Sequence, residues 1–260
     1  MNGRVLDVPV HILSLGGAQD RIAAWVAARS RPSAVIVQTN AYSLVTAQED
    51  PEYRQALQDV DLSLPDGMPV VWLLRRMGYD QRDRVYGPDL MLLLCEQAAK
   101  EGWRCFLYGG HPGIPERVRE SLLSLFPSLQ VVGAYSPPFH ELSSAEDEES
   151  VRMINNANAD ILWVALGGPK QDLWMFHHRE RLDVSVMHGV GAAFDFLAGR
   201  VPQAPRWMMN AGFEWFFRLL VEPRRLWKRY TVKNVKFLYL VLTREFLRRP
   251  LQRSTAERAG

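Results

Sequence analysis

The 260-residue chain is predicted to be an α/β protein: a Rossmann-like, doubly wound, mainly parallel sheet with a helical C-terminal appendage. Three observations predict it. Short apolar runs alternate with amphipathic stretches along the first 200 residues. The runs are apolar throughout rather than at every second residue, as in strands buried on both faces. Beyond Pro205 the pattern becomes helical, rich in Trp, Phe and Arg, with no strand period. The expected organisation is an α/β domain over 1–208, a basic amphipathic appendage over 209–249 and a disordered tail over 250–260.

Strands are expected near 34–39 (AVIVQT), 61–64, 103–108 (WRCFLY), 129–134, 160–166 (DILWVAL) and 184–188. Between them, helices are expected near 41–58, 67–77, 88–101, 114–126, 145–157 and 170–182. Segment 78–87 (GYDQRDRVYG) is polar and bounded by glycines, so it reads as an exposed loop. The acids Glu146–Glu149 read as a solvated helix start, where the helix dipole favours them. Pro202 and Pro205 close the domain.

Composition narrows the function. The chain is 47% hydrophobic and 23% charged, ordinary for a folded soluble protein. With 31 basic and 29 acidic residues the net charge is only +2, which argues against a polycation for nucleic acid. Cys95 and Cys105 cannot make a disulfide framework and suit a reducing compartment. The opening MNGRVLDVPVHILSL lacks a signal-peptide pattern. No run approaches the ~18 apolar residues of a transmembrane helix. A cytoplasmic location is therefore expected. The charge is uneven: residues 213–249 hold ten Lys/Arg and three acids, a net +7, and residues 250–260 add +1. Residues 1–212 then carry −6. Cations flanking FLYLVL (237–242) suggest a helix lying in an anionic membrane interface. The same residues on an ordinary packed helix are the alternative, and self-association into a homo-oligomer through this surface stays open.

Ligands of open α/β sheets bind beyond the carboxyl ends of the strands, where helix N-termini suit phosphates. The residues just after each strand bring polar groups and glycines to one edge: Thr39 and Asn40; Pro65, Asp66 and Gly67; Gly109, Gly110 and His111; Gly167 to Asp172; Gly189, Gly191 and Asp195. Asp66 is the carboxylate placed to act as a base toward a hydroxyl; a helix N-cap is the alternative. Arg84 could neutralise a leaving diphosphate, or be a solvated loop arginine. Gln171 could bind a sugar hydroxyl or a phosphate, or cap its helix. Other patterns carry less. GVGAAF (189–194) is a truncated glycine fingerprint on a late strand, a weak sign of NAD. Asp59-Val60-Asp61 spells a metal-binding D-x-D, but at the wrong end of its strand. His177 and His178 diverge around their helix and form no zinc pair. His111 and His188 at strand ends suit structural roles.

Taken together, these residues resemble the WecG/TagA/CpsF bacterial glycosyltransferases. The resemblance covers about residues 4–245. It is carried by the Asn40 strand end, LPDGMPVVW (64–72), RVYGPDL (84–90), YGGHPG (108–113), DILWVALGGPKQD (160–172), GVGAAFDFLAGRVPQAPRWM (189–208) and GFEWFFRLLVEPRRLWKRY (212–230). It implies an inverting, metal-independent transfer of an N-acetylmannosamine-type sugar or related hexose from a UDP-sugar. The implied acceptor is an undecaprenyl-diphosphate-linked sugar at the cytoplasmic membrane face, within cell-surface polysaccharide biosynthesis. It implies Asp66 as base and Asn40, Arg84 and Gln171 as pocket residues. Arg224, Arg225 and Arg229 belong to an appendage that completes the site and touches the membrane. No cofactor or metal is expected. Two departures stand out: Gln38 where the family commonly has threonine, and Asp172 where it commonly has glutamate. With Thr39, Gly109, Gly110, Gly191 and Asp195 from the strand edge, these make the candidate substrate site. The rival readings are an NAD-dependent nucleotide-sugar enzyme and a non-catalytic membrane scaffold.

Overall fold

The computed structural model describes residues 2–246, with the backbone alone described at Lys228, Arg229 and Phe246. The expected disordered tail, 250–260, lies outside the described residues. The described chain opens on a hairpin, β1 (Asn2–Val5) and β2 (Val8–His11), paired antiparallel with Val5 opposite Val8. Leu6 and Asp7 turn it with φ of 48° and 64°, the left-handed pair that a two-residue hairpin needs. Burial of the Leu6 side chain offsets the strain of that φ on a leucine. Next is α1 (Leu15–Ala27), its Gly17 N–H capped by Ser14 Oγ. Neither the hairpin nor α1 is among the elements expected from sequence.

The alternation then runs as expected, with small shifts. β3 (Ala34–Thr39) leads into α2 (Ala41–Glu49) and α3 (Pro51–Asp59). The sequence pattern predicts one helix here; Pro51 divides it, with Asp50 ending α2 and capping α3. Next come β4 (Leu62–Pro65), α4 (Met68–Arg76), α5 (Gly87–Glu101), β5 (Arg104–Gly109) and α6 (Ile114–Leu125). β6 (Gln130–Tyr135), α7 (Ser144–Asn156), β7 (Ile161–Ala165), α8 (Lys170–His178) and β8 (Val186–Gly189) complete the sheet. The short α9 (Ala193–Leu197) and α10 (Arg206–Asn210) lead to α11 (Glu214–Val221) and α12 (Pro223–Leu240), which ends in a π-helical turn, Val241–Phe246.

The main sheet is wholly parallel, in the order β4-β3-β8-β7-β5-β6. Successive strand residues enter opposite cores. Ile36, Leu107 and Trp163 join α1, α5, α6 and α9 on one face, while Val37, Tyr108 and Val164 join α2, α7 and α8 on the other. This explains the unbroken apolar runs. All six strands point their carboxyl ends to one edge, with β3 and β8 side by side near its centre.

The C-terminal segment packs against the body. Phe237, Leu240 and Val241 are buried in the α2-side core. Lys233 and Lys236 both reach Glu49, and Arg244 Nη1 donates to Gln48 Oε1 at 2.5 Å. The Leu6 N–H donates to Glu245 Oε1 at 2.9 Å. On the other side of α12, Val232, Val235, Leu238 and Tyr239 face solvent, as do Trp215, Phe216 and Leu220 of α11. α12 is thus apolar on two sides, one covered and one bare. Among the described residues no helix is long and apolar enough to cross a membrane.

Candidate active site

A cavity of about 930 Å³ opens at the carboxyl edge of the sheet. Its walls are the turns after β3, β4, β5, β7 and β8, and α11 and α12 close over one side through Glu214, Arg218, Arg225 and Lys233. Of the residues singled out from sequence, Asn40, Asp66, Gly110, Gln171, Gly191, Asp195 and Arg225 line it.

Asp66 sits where β4 gives way to α4. Its N–H donates to Thr39 O at 3.0 Å, which ties the turn to β3. The half-buried carboxylate accepts a long bond, 3.4 Å, from the Gly87 N–H. Gly87 is the first residue of α5, while Asp66 does not cap α4, whose N-cap is Gly67. Burial pushes the carboxyl up to about 6, Arg84 pulls it down and Glu214 raises it again. Asp66 therefore loses its proton just below neutral pH, as a general base must.

Other residues divide their duties. Asn40 Oδ1 caps α2, accepting from the N–H groups of Tyr42 and Ser43 at 3.1 and 3.2 Å. Gln171 Oε1 accepts from the Gly167 N–H at 3.2 Å, so the side chain shapes the turn as well as the wall. Asp195 Oδ1 pairs with Arg200 at 2.9 Å, and its Oδ2 lies 3.9 Å from Arg225 of α12. Asp195 and Arg225 thus join body and appendage at the rim. Gly110, at φ 77°, donates to Ala165 O at 2.8 Å and turns the chain away from β7.

Four expected residues are placed differently. Thr39 is buried between β3 and β4, its hydroxyl 2.6 Å from Ser63 Oγ, and does not reach the cavity. Gly109 also stays behind the wall: a Cβ there would meet the Ala165 carbonyl carbon at 2.6 Å, so glycine serves strand packing. Arg84, expected on a leaving diphosphate, lies behind the Asp66 turn. Its Nη1 is 2.5 Å from Glu214 Oε2, and its guanidinium stacks on the Tyr86 ring at 4.0 Å. Arg224 is exposed and outside the cavity. The side chain of Arg229 lies outside the described residues.

Several wall residues are not among those expected from sequence. Glu214 is the chief one: it comes from a different segment and could be found only by asking which acid meets Arg84. Tyr53 Oη donates to Asp172 Oδ2 at 2.7 Å in the floor. Gln38 Nε2 lies 2.9 Å from Nε2 of His188, which burial lowers to about 3 and so keeps neutral. At the far end Phe139 packs against His111 with the rings tilted, centroids 4.7 Å apart.

The D-x-D aspartates serve the opposite edge of the sheet. Asp61 Oδ2 accepts from the Val35 N–H at 2.9 Å and from Arg179 at 3.1 Å. Among the described residues no three His, Cys, Asp or Glu side chains are grouped as for a metal ion.

A parallel sheet, a cavity at its carboxyl edge, a carboxylate poised there and a basic helical closure describe a site for an anionic ligand and a proton transfer. The model of the glycosyl transferase WecG/TagA/CpsF family matches residues 3–251. The chain belongs to this family of glycosyltransferases. A curated relative from Bacillus subtilis (strain 168), N-acetylglucosaminyldiphosphoundecaprenol N-acetyl-beta-D-mannosaminyltransferase, is 34% identical over 197 residues. The aligned region spans 75% of this chain and 74% of that protein. As a WecG/TagA/CpsF member the chain is a sugar-transferring enzyme of cell-envelope polysaccharide synthesis, and the cavity is its candidate active site.

Proposed function

We propose that the enzyme moves an N-acetylmannosamine-type sugar, or a related hexose, from a UDP-sugar to an undecaprenyl-diphosphate-linked sugar, with inversion and without a metal. The Bacillus subtilis relative's name supplies the acceptor type and the sugar. The observation that carries the reading is Asp66, at the strand edge of a cavity large enough for a nucleotide-sugar-sized ligand.

Asp66 takes the proton from the acceptor hydroxyl. The freed oxygen bonds the anomeric carbon as the bond to the UDP oxygen breaks, and UDP leaves with that electron pair. Backbone N–H groups at the glycine-rich edge, with Arg218 and Arg225, meet the charge on the departing diphosphate. Closure by α11 and α12 keeps water from the donor. The bare apolar side of α11 and α12 rests in an anionic membrane at the cytoplasmic face, next to the lipid-linked acceptor.

The test is UDP release from a panel of UDP-sugars with a lipid-diphosphate-sugar acceptor and EDTA present. One donor should give acceptor-dependent release, and Asp66→Asn should reduce it by about 10²–10⁴-fold. Undiminished release from Asp66→Asn would overturn the role of the base, and a requirement for divalent metal would overturn the metal-free route. Leu238→Glu should lose binding to vesicles of anionic phospholipid; equal binding would remove the membrane from the reading.

A further inference from the structure

Glu214 belongs to the appendage, yet it makes a close charge contact with the loop beside the cavity. Both its oxygens are engaged: Oε2 with Arg84 Nη1 at 2.5 Å, and Oε1 with Tyr86 Oη at 3.3 Å. The tyrosine is itself held by Gln203 Nε2 at 3.0 Å, and its ring lies under the Arg84 guanidinium. The Arg84 and Glu214 side chains are only 12% and 16% exposed, so water screens the pair poorly.

Arg84 has a second carboxylate close by. Its Nη1 is 3.5 Å from the backbone oxygen of Asp66. Among the described residues, however, no Lys or Arg nitrogen lies within 4.0 Å of the Asp66 carboxylate. The arginine is thus beside the base and turned to another acid. We propose that Glu214 is a positioning residue of the transfer reaction: it holds the Arg84 guanidinium off the Asp66 carboxylate, so that seating the appendage and readying the base are one event. The inference rests on Asp66 being that base.

The physical reason is competition for one cation. A carboxylate paired with arginine is a weak base, its pKa lowered by about 1–3 units. The charges facing Asp66 are Arg84 from the loop before α5 and Glu214 and Arg218 from α11. The neutral groups are Tyr86 and the Gly87 N–H. With Glu214 in place one negative charge balances part of two positive ones. Without it both arginines act on Asp66 unopposed, and Arg84 has Asp66 as its nearest carboxylate.

The test uses the full chain, labelled with ¹³C at aspartate carboxyls, as wild type, Glu214→Gln, Glu214→Asp and the double variant Arg84→Gln/Glu214→Gln. The Asp66 resonance is identified by its loss in Asp66→Asn and followed from about pH 4 to about pH 8. The wild-type midpoint should lie near 6. Glu214→Gln should lower it by at least about 1 pH unit and carry the acid limb of the transfer rate down with it. At neutral pH kcat should fall about tenfold. Glu214→Asp should recover most of the shift, and removing Arg84 as well should return the midpoint to 6 or above. An unchanged midpoint in Glu214→Gln overturns the inference even if activity falls, because a purely structural role would spare the titration. A double variant that stays as low as Glu214→Gln also overturns it. If the midpoint moves as stated while Asp66→Asn still transfers sugar, Glu214 positions Arg84 but Asp66 is not the base.

Discussion

The sheet body and the α11–α12 segment both bury apolar side chains, but they do so in opposite ways. In the body, alternate residues of β3, β5 and β7 enter two separate cores, so both sheet faces are covered. α12 and the π-helical turn after it send Phe237, Leu240 and Val241 into one of those cores, while Val235, Leu238 and Tyr239 of α12 stay in solvent. Polar groups divide the same way. The body supplies Asp66 and the backbone edge of the cavity; the appendage supplies Glu214, Arg218, Arg225 and Lys233. The body thus holds a site with a carboxylate, Asp66, and few cations, and the appendage adds most of the charged side chains. A cavity assembled from a part covered on both faces and a half-covered part can be disturbed from either, and the two disturbances should look different.

The largest effect should separate the two sides of α12. Phe237→Ala should cost about 3–5 kcal/mol of unfolding free energy, because it empties a buried aromatic site. Val235→Ala, two residues away on the bare side, should change stability by less than about 0.5 kcal/mol. Chemical denaturation of both variants measures this, and equal losses would mean that the two sides are not distinct.

The next effect sharpens the view of the body. The folded Asp66 carboxyl titrates at about 6 against an ordinary value of 3.8. Between those values the folded chain holds a proton that the unfolded chain has lost, so stability falls as pH rises through the window. Asp66→Asn should therefore be more stable than wild type near pH 7.5, by at most about 3 kcal/mol. The gain should vanish below about pH 4. Melting curves at the two pH values check the sign.

The smallest effect concerns the ionic seam. Glu49→Gln removes the partner of Lys233 and Lys236. These pairs are partly exposed, so the loss should be about 0.2–1 kcal/mol for each and should shrink in high salt. A larger, salt-independent loss would mean that the seam, rather than Phe237 and its neighbours, seats the appendage.

Much of the sheet is legible in the sequence because its physics is local. AVIVQT is buried on both faces, and its strand falls at 34–39 as expected; the other five shift by one or two residues. The hairpin is not legible: its strands have four residues each, and Leu6-Asp7 is not the Asn-Gly or Asp-Gly pair that marks such turns. α1 begins Leu-Gly-Gly, which hides a helix whose cap, Ser14, lies outside that run. Asp50-Pro51 could have shown the break between α2 and α3. In the site, strand ends locate Asp66, Asn40 and Gln171, because the carboxyl edge of a parallel sheet is where ligands go. Which strand-end side chains turn inward is not legible. Thr39 and Asn40 are neighbours, yet one bonds Ser63 behind the wall and the other lines the cavity. Glu214 is out of reach for a further reason: its meeting with Arg84 spans 130 residues and depends on how α11 docks.

The first turn of the described chain records what its far end does. The Leu6 N–H is bonded to Glu245, and the Leu6 carbonyl accepts from Gln48 Nε2 at 2.7 Å. Lifting the final turn of the appendage would free that single amide while leaving the β1–β2 ladder intact. Hydrogen–deuterium exchange at Leu6 is therefore a clock for how often the appendage opens, read from the opposite end of the polypeptide and without disturbing either the cavity or the bare side of α12.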